Sequence, residues 1–389
     1  EDIENYLSDH HNGFRQRRST RDNLLVLRWT IHRILKSKQE KVVLFIDFKG
    51  AFPSVAHNPI IDSLKDAGVK GKNIRLIRLI LLNARIRYKY DNLNHSDWVS
   101  VCRGIMQGDV VNPMLFVVMF NALENKHSLF NEKTLIKIKR NTVIEVKQQL
   151  FADDLNAIEN DHAAAERDLN RLHDAITNDT KSGLIIHPGK TEILIISNKR
   201  HRVSKTTEED CKNMGWKTHC KICNRTFPGY SSLPGHHRFC REDRPYPNGS
   251  RTGTIADKLV RENKIEAVLN EKLPVIEFNG TKIRNKFSVK YLGSLFTMNG
   301  DITNEVRRRI GSASGAFRRY YSLFKSTDLN NDIKIRMYNA LIISIVIYGF
   351  ESWPDIEQQT RKISRMITGQ KGVILDREWK DDAFKRQWD

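Results

Sequence analysis

Acid is in short supply. The 389 residues hold 46 Asp and Glu against 65 Lys and Arg, a formal net charge of +19. That surplus disfavours an acidic, solvating chain and predicts a polyanionic partner, nucleic acid first. Cysteine is scarce too: five, an odd number, too few for a disulfide-built scaffold. Long apolar runs are missing. The longest, Pro113–Leu123 and Leu341–Phe350, reach 11 and 10 residues against the about 20 that a membrane span needs, so no membrane partner is expected. The opening at Glu1 is acidic and polar, without a basic-then-apolar signal. It reads as the start of an excerpt from a longer product. The apolar fraction of 39% is too high for a disordered chain, and the length predicts two or three lobes.

Residues 12–41 carry nine Lys/Arg and two acids. Leu24, Leu27, Ile31 and Ile34 recur at helical spacing with Arg28 and Arg33 between them, and Thr20 stands where a cap belongs. A cationic helix is predicted. Val42–Ile46 then reads as a buried strand ending on Asp47. Helix is expected over Pro59–Leu82, interrupted near Gly68 and Gly71, and again over the apolar Pro113–Leu123. Apolar strands on either side of Asp153-Asp154 predict a hairpin, followed by an amphipathic helix over Ala163–Thr177 and a strand over Glu192–Ile196. Strands resume at Val275–Phe278 and Val289–Phe296, and a basic helical region spans Asn304–Phe350.

Acids at the tips of buried strands are costly unless used. Asp47, Asp153 and Asp154 occupy such tips. Three convergent carboxylates suit a pair of Mg²⁺ ions, which take oxygen ligands and leave positions for substrate phosphates. The dipeptide alone says little, because Asp381-Asp382 is the same pair without strands around it.

Between 199 and 258 the texture changes to 13 Lys/Arg against six acids with little periodicity. Cys220, Cys223, His236 and Cys240, spaced x2, x12 and x3, have the count and spacing of one tetrahedral structural Zn²⁺ site, with His237 as an alternative ligand. Such a site contributes about 10–16 kcal/mol to folding of a small insert. Phe227 and Leu233 fall at the core positions of a ββα finger. The base-reading positions would be Gly229, Ser232 and Gly235, and Pro234 distorts the helix. Sequence-specific reading of a groove is therefore not expected.

Phe151-Ala152-Asp153-Asp154 resembles the catalytic box of non-LTR (LINE-type) retrotransposon reverse transcriptases. Further blocks lie around it in family order. Asn12-Gly13-Phe14-Arg15 through Arg18-Ser19-Thr20 resembles the fingers block, and Phe45–Phe52 the first palm motif. Gly104–Asp109 with Asn112-Pro113 resembles the second palm motif. Gly183-Leu184 with Pro188 and Lys190-Thr191, then Tyr291-Leu292-Gly293, resemble the motif after the box and the primer grip; Arg307–Trp353 resembles the thumb. Pro53 and Asn112 depart from the Asp and Ser frequent in relatives.

The resemblance implies an α+β fold: a right-hand polymerase palm, ferredoxin-like, with partial fingers, a zinc-finger-like insert and a helical thumb. The implied division is 1–41 partial fingers, 42–198 palm, 199–260 zinc-binding insert, 261–300 primer-grip strands, 301–370 thumb and 371–389 tail. Asp47 and Asp153 would hold both Mg²⁺ ions and Asp154 would complete the cluster. Phe52 would be a steric gate against the ribose 2′-hydroxyl. The backbone at Phe48, with Gln107, Gly108 and Lys190, would bind the nucleotide. RNA template, DNA primer or target DNA, and dNTPs are the implied partners, in an intracellular ribonucleoprotein of nucleus and cytoplasm. Arg15, Arg17 and Arg18, and the arginines at 307–309, 318 and 319, are candidates for phosphate contacts. The alternative is an inactive or co-opted RNA/DNA-binding module.

Overall fold

Every residue from Lys41 to Ile46 is buried, and this strand, β1 (Glu40–Ile46), is the centre around which the rest is laid. A run buried on both faces needs neighbours on both edges and cover above and below. The computed structural model describes residues 2–375, apart from 92–93, 131–133, 140–141, 147, 180, 198–265, 267–268, 272 and 355.

Ahead of β1 come α1 (Asp2–Tyr6) and α2 (Thr20–Lys36). After it follow α3 (Ala51–Ser54), α4 (His57–Asp66) and α5 (Gly71–Leu82), then β2 (Arg85–Ile86), β3 (Val99–Ser100) and α6 (Asn112–His127). Next are β4 (Thr134–Lys139), β5 (Thr142–Val146), β6 (Gln149–Phe151), β7 (Asp154–Glu159), α7 (His162–Asp174) and β8 (Glu192–Ser197). The last strands are β9 (Ile276–Phe278), β10 (Thr281–Ile283), β11 (Asn285–Lys286), β12 (Ser288–Tyr291) and β13 (Ser294–Thr297). Five strands form one sheet in the order β11-β8-β1-β7-β6, antiparallel except for β11 against β8. Helix α7 packs on β1 and β7, and α2 on β1, β6 and β8.

The predicted elements are found within a few residues of their expected ends, mixed α and β as read. The break between α4 and α5 falls at Gly68–Lys70, where Gly68 takes φ 73°. The cap of α2 is Ser19, not Thr20: the Ser19 N–H donates to Asp22 Oδ2 at 2.6 Å, as a capping box requires. Arg28 does not lie on a cationic surface. It is buried, donates to Ser294 Oγ and Leu295 O, and stacks over Phe296 at 4.5 Å. Burial lowers its pKa to about 10, against the pull of Glu305.

From Ile302 onward the chain builds a second core of its own. Helix α8 (Thr303–Arg319) packs with a helical run at 331–347 and a C-terminal helix, Ile356–Leu375. By length and composition, Asn331–Ser352 is long and apolar enough to cross a membrane, although its apolar tip alone is not. In this fold its Tyr338, Ile342 and Val346 fill the second core. The predicted zinc ligands Cys220, Cys223, His236 and Cys240 lie outside the described residues.

Candidate active site

The antiparallel register pairs Ile46 with Leu155 and Phe151 with Asp154. One step further, it sets Asp47 across from Asp154, with Asp153 in the two-residue turn between β6 and β7. Ala152, first in that turn, has φ 57°, the left-handed value that a II′ hairpin turn demands at this position. The sheet thus delivers three acids to one end of its two central strands.

Their charges feel one another. Burial, with Asp153 and Asp47 nearby, pushes the Asp154 carboxyl up to about 6. Asp153 is raised as well, by burial first and by Asp47. Asp47 Oδ2 is buried without a hydrogen-bond partner, and Lys190 Nζ stands 3.8 Å from it. Among the described residues no three His, Cys, Asp or Glu side chains are drawn tightly enough together to hold an ion as they stand. The acids are coupled neighbours rather than a closed ligand shell. The donor set nevertheless fits a divalent cation: all oxygen, mutually repelling, and with one buried oxygen that accepts no hydrogen bond.

A folded-state pKa raised above the ordinary carboxylate value means that ionising Asp154 destabilises the fold. Its favourable contribution is complete below about pH 4 and is lost as pH rises through about 6. In urea unfolding with EDTA present, Asp154→Asn should be more stable than the parent above pH 6, with the difference vanishing below pH 4. A pH-independent difference would contradict the raised pKa of Asp154.

Backbone contacts hold Asp47 in place. The His187 N–H donates to Asp47 O at 2.7 Å, and the Asp47 N–H to Thr191 Oγ1 at 3.4 Å. The Lys49 N–H donates to Ile185 O at 2.8 Å. The segment 183–191 thus runs beside the end of β1 and carries Lys190 to Asp47. Its first residue, Gly183, has φ 84°, and a Cβ there would sit 2.2 Å from Ser54 O.

The remaining predicted residues divide. Phe48 is buried and meets Phe120 edge-on at 5.9 Å. Phe52 is 9% exposed and stacks on Phe116 at 5.1 Å and 13°, so it fills the core beside the acids. Gln107 and Gly108 are exposed on the turn ahead of α6. That loop is tied down by Ile105 N–H to Phe52 O and by Asn112 Nδ2 to Met106 O; Asn112, one of the two departures, is a loop anchor. Arg15 is not available for phosphate. It is buried and donates to Glu4 Oε1 at 2.7 Å, Ser8 O and His11 O. Arg308 and Arg309 are occupied as well, on Glu305 and on the Gly293 carbonyl, whereas Arg307, Arg318 and Arg319 are exposed.

One support had no signal in the spacing of the motifs. His11 forms a parallel bridge with Leu150, the Asn12 N–H donates to Leu150 O, and the Leu150 N–H donates to His10 O, both at 2.9 Å. The N-terminal segment therefore lies along the free edge of β6 as an additional strand. A buried chain leads on from it: Asn12 Nδ2 donates to Asn23 Oδ1 at 2.6 Å, and Asn23 Nδ2 to the Tyr291 hydroxyl at 3.0 Å. Burial, with the charge of Asp154 nearby, pushes the pKa of that hydroxyl up.

The family model for reverse transcriptase (RNA-dependent DNA polymerase) matches residues 1–294. A curated relative, the retrovirus-related Pol polyprotein from type-1 retrotransposable element R2 of Nasonia vitripennis, is 24% identical over 174 residues. Those residues are 43% of this chain, which spans 16% of that polyprotein. Apo telomerase from Candida tropicalis is 10% identical with TM-score 0.36, covering 97% of this chain and 57% of its own. The Candida albicans telomerase in complex with a TWJ fragment of telomeric RNA is 10% identical with TM-score 0.34, covering 95% and 52%. The family match runs over most of the chain and includes all three acids, and this protein belongs to the reverse transcriptase family.

Proposed function

We propose that this chain copies an RNA template into DNA for a non-LTR retrotransposon, adding dNTPs to a primer 3′-hydroxyl. The observation that supports this best is the coupled trio Asp47, Asp153 and Asp154 at the end of the central strands. In this reading the five-stranded sheet is the palm and residues 1–41 are part of the fingers. The hairpin β12–β13 is the primer grip, and the helices from 303 onward are the thumb. Asp47 and Asp153 would hold two Mg²⁺ ions, with Asp154 completing the cluster. When bound, such a pair activates the attacking hydroxyl and neutralises the leaving pyrophosphate.

The protein's own side chains do the rest. Lys190, 3.8 Å from Asp47 and largely exposed, would balance triphosphate charge and supply a proton to pyrophosphate. Gln107 and Gly108 present a polar amide and an open backbone on the exposed loop. Phe52, fixed by its stack on Phe116, would be the gate that meets a 2′-hydroxyl. Residues 199–260 would form a zinc-stabilised basic insert; metal analysis should find one zinc per chain, lost in Cys220→Ser, and unchanged zinc content would reject that ligand set.

The test is extension of a DNA primer on an RNA template with Mg²⁺. Incorporation directed by the template supports the reading, and binding without incorporation contradicts it. In the same assay Phe52→Ala should admit ribonucleotides at least tenfold better relative to dNTPs. Unchanged exclusion would remove the gate.

A further inference from the structure

Helix α5 is apolar on two sides, and only one of them has a neighbour. Of its 12 residues seven are Leu or Ile, three are Lys or Arg and none is acidic. Ile74, Ile77 and Leu81 turn inward. Leu81 is buried, the two isoleucines pack half-buried against the first core, and α5 lies against α4 on this side. At about 100° per residue, Leu76, Leu79 and Ile80 fall on the outer side, with Leu82 at its rim. Leu76 and Leu79 are each 58% exposed, Ile80 52% and Leu82 66%.

A helix that is apolar all round is ordinarily buried, and four neighbouring exposed aliphatics are surface that gains from cover. Lys72 stands within the outer side, and Arg75 and Arg78 run along one flank of it. All three are exposed, and no carboxylate pairs with them among the described residues. The sequence supplies none nearby, since no Asp or Glu occurs between Asp66 and Asp91. This combination selects the occupant. Nucleic acid would satisfy the cations but leave the aliphatics bare, because α5 offers no ring on which a base could stack. An interfacial membrane helix carries its cations opposite its apolar face; here that opposite face is spent on α4. A second copy laid face to face would set like charges against each other. An amphipathic helix with acidic flanks satisfies both sets: its apolar stripe packs on Leu76, Leu79 and Ile80, and its carboxylates meet the cations.

We infer that the outer side of α5 is a docking face for an acidic amphipathic helix of a partner protein. The aliphatic stripe supplies the affinity. Lys72, Arg75 and Arg78 fix the direction of the docked helix and speed its approach. The inference goes beyond the polymerase reading and stands or falls without it.

The test is anisotropy titration of a labelled synthetic helix, with leucines at i, i+3, i+4 and i+7 flanked by glutamates, against the full chain. Saturable binding is expected, weakening as salt is added. Leu76→Gln, Leu79→Gln and Ile80→Gln combined should weaken it at least tenfold and leave the salt dependence in place. Lys72→Gln, Arg75→Gln and Arg78→Gln combined should weaken it and remove most of the salt dependence. Hydrogen exchange should slow along 71–82 when the peptide is added. All six side chains are exposed, so both triple variants should keep the thermal transition of the parent. Absence of binding overturns the inference, as does equal binding of a peptide with the same leucines flanked by lysines. Full affinity in the leucine variant overturns it too. If that variant instead converts a dimer of the chain to monomer, the face belongs to a second copy. If it releases the chain from vesicles of anionic lipid, the face belongs to a membrane, and if it costs single-stranded RNA as much affinity as it costs the peptide, to nucleic acid; each of these overturns the inference.

Discussion

Gly13→Ala should lower nucleotide incorporation by about a hundredfold although residue 13 bears no functional group. A Cβ at this position would lie 2.5 Å from Ala152 N, 3.1 Å from Phe151 C and 3.3 Å from Phe151 Cα. All three are backbone atoms of the hairpin that carries Asp153 and Asp154, and backbone within a sheet has nowhere to go. Either the N-terminal segment lifts from β6, breaking its hydrogen bonds to Leu150, or the turn shifts. Overpacking of this kind costs about 1–3 kcal/mol in stability. A displacement of about 1 Å at a catalytic group costs on the order of 10² in rate. The matched control is Gly311→Ala, in α8, where an added Cβ meets nothing within 4 Å; it should be neutral or slightly stabilising and leave the rate alone. Primer extension and urea unfolding on the two variants check this. Equal rates in both would show that the segment does not position the turn.

Glu305→Ala should be the most destabilising change in the C-terminal half, at about 3–5 kcal/mol. Glu305 is fully buried. Its carboxylate accepts from Leu295 N at 3.0 Å, from Arg308 Nε at 2.9 Å and from Arg309 Nε at 2.7 Å, and it also supports the charge of Arg28. Both arginines in turn donate to the Gly293 carbonyl, and the Tyr348 hydroxyl donates to Leu292 O at 2.8 Å. One acid therefore clasps the β12–β13 turn between the sheet and the C-terminal helices. Without it, the buried Arg309, the half-buried Arg308 and the Leu295 N–H lose their carboxylate together, leaving the two guanidinium groups only the Gly293 carbonyl. Thermal unfolding should show a transition many degrees lower. A shift no larger than that of an exposed pair such as Arg361–Glu357 would mean that the clasp contributes nothing.

Much of the fold was legible because its signals are local. A β-branched run ending in an acid, glycines between two amphipathic stretches, and an apolar run behind Pro113 all became the elements they predicted. Residue type alone could not say which charges are spent inside. Arg15, Arg28, Arg308 and Arg309 look like surface cations in sequence, yet each is buried or engaged by a carboxylate or carbonyl reached through the tertiary fold. Gly13 was legible as part of a motif but not as a spacer, because the atoms it must clear are about 140 residues away. The three acids were found through their strands, whose ends do meet.

The central claim is that those acids drive DNA synthesis on RNA. The most direct measurement is extension of a DNA primer on an RNA template with dNTPs and Mg²⁺, comparing the parent chain with Asp153→Ala. The account predicts template-directed extension by the parent and a loss of at least 10³-fold in the variant, with template–primer affinity kept within a few fold. Extension that survives the loss of Asp153, or a parent chain that binds template–primer and adds no nucleotide, would contradict it.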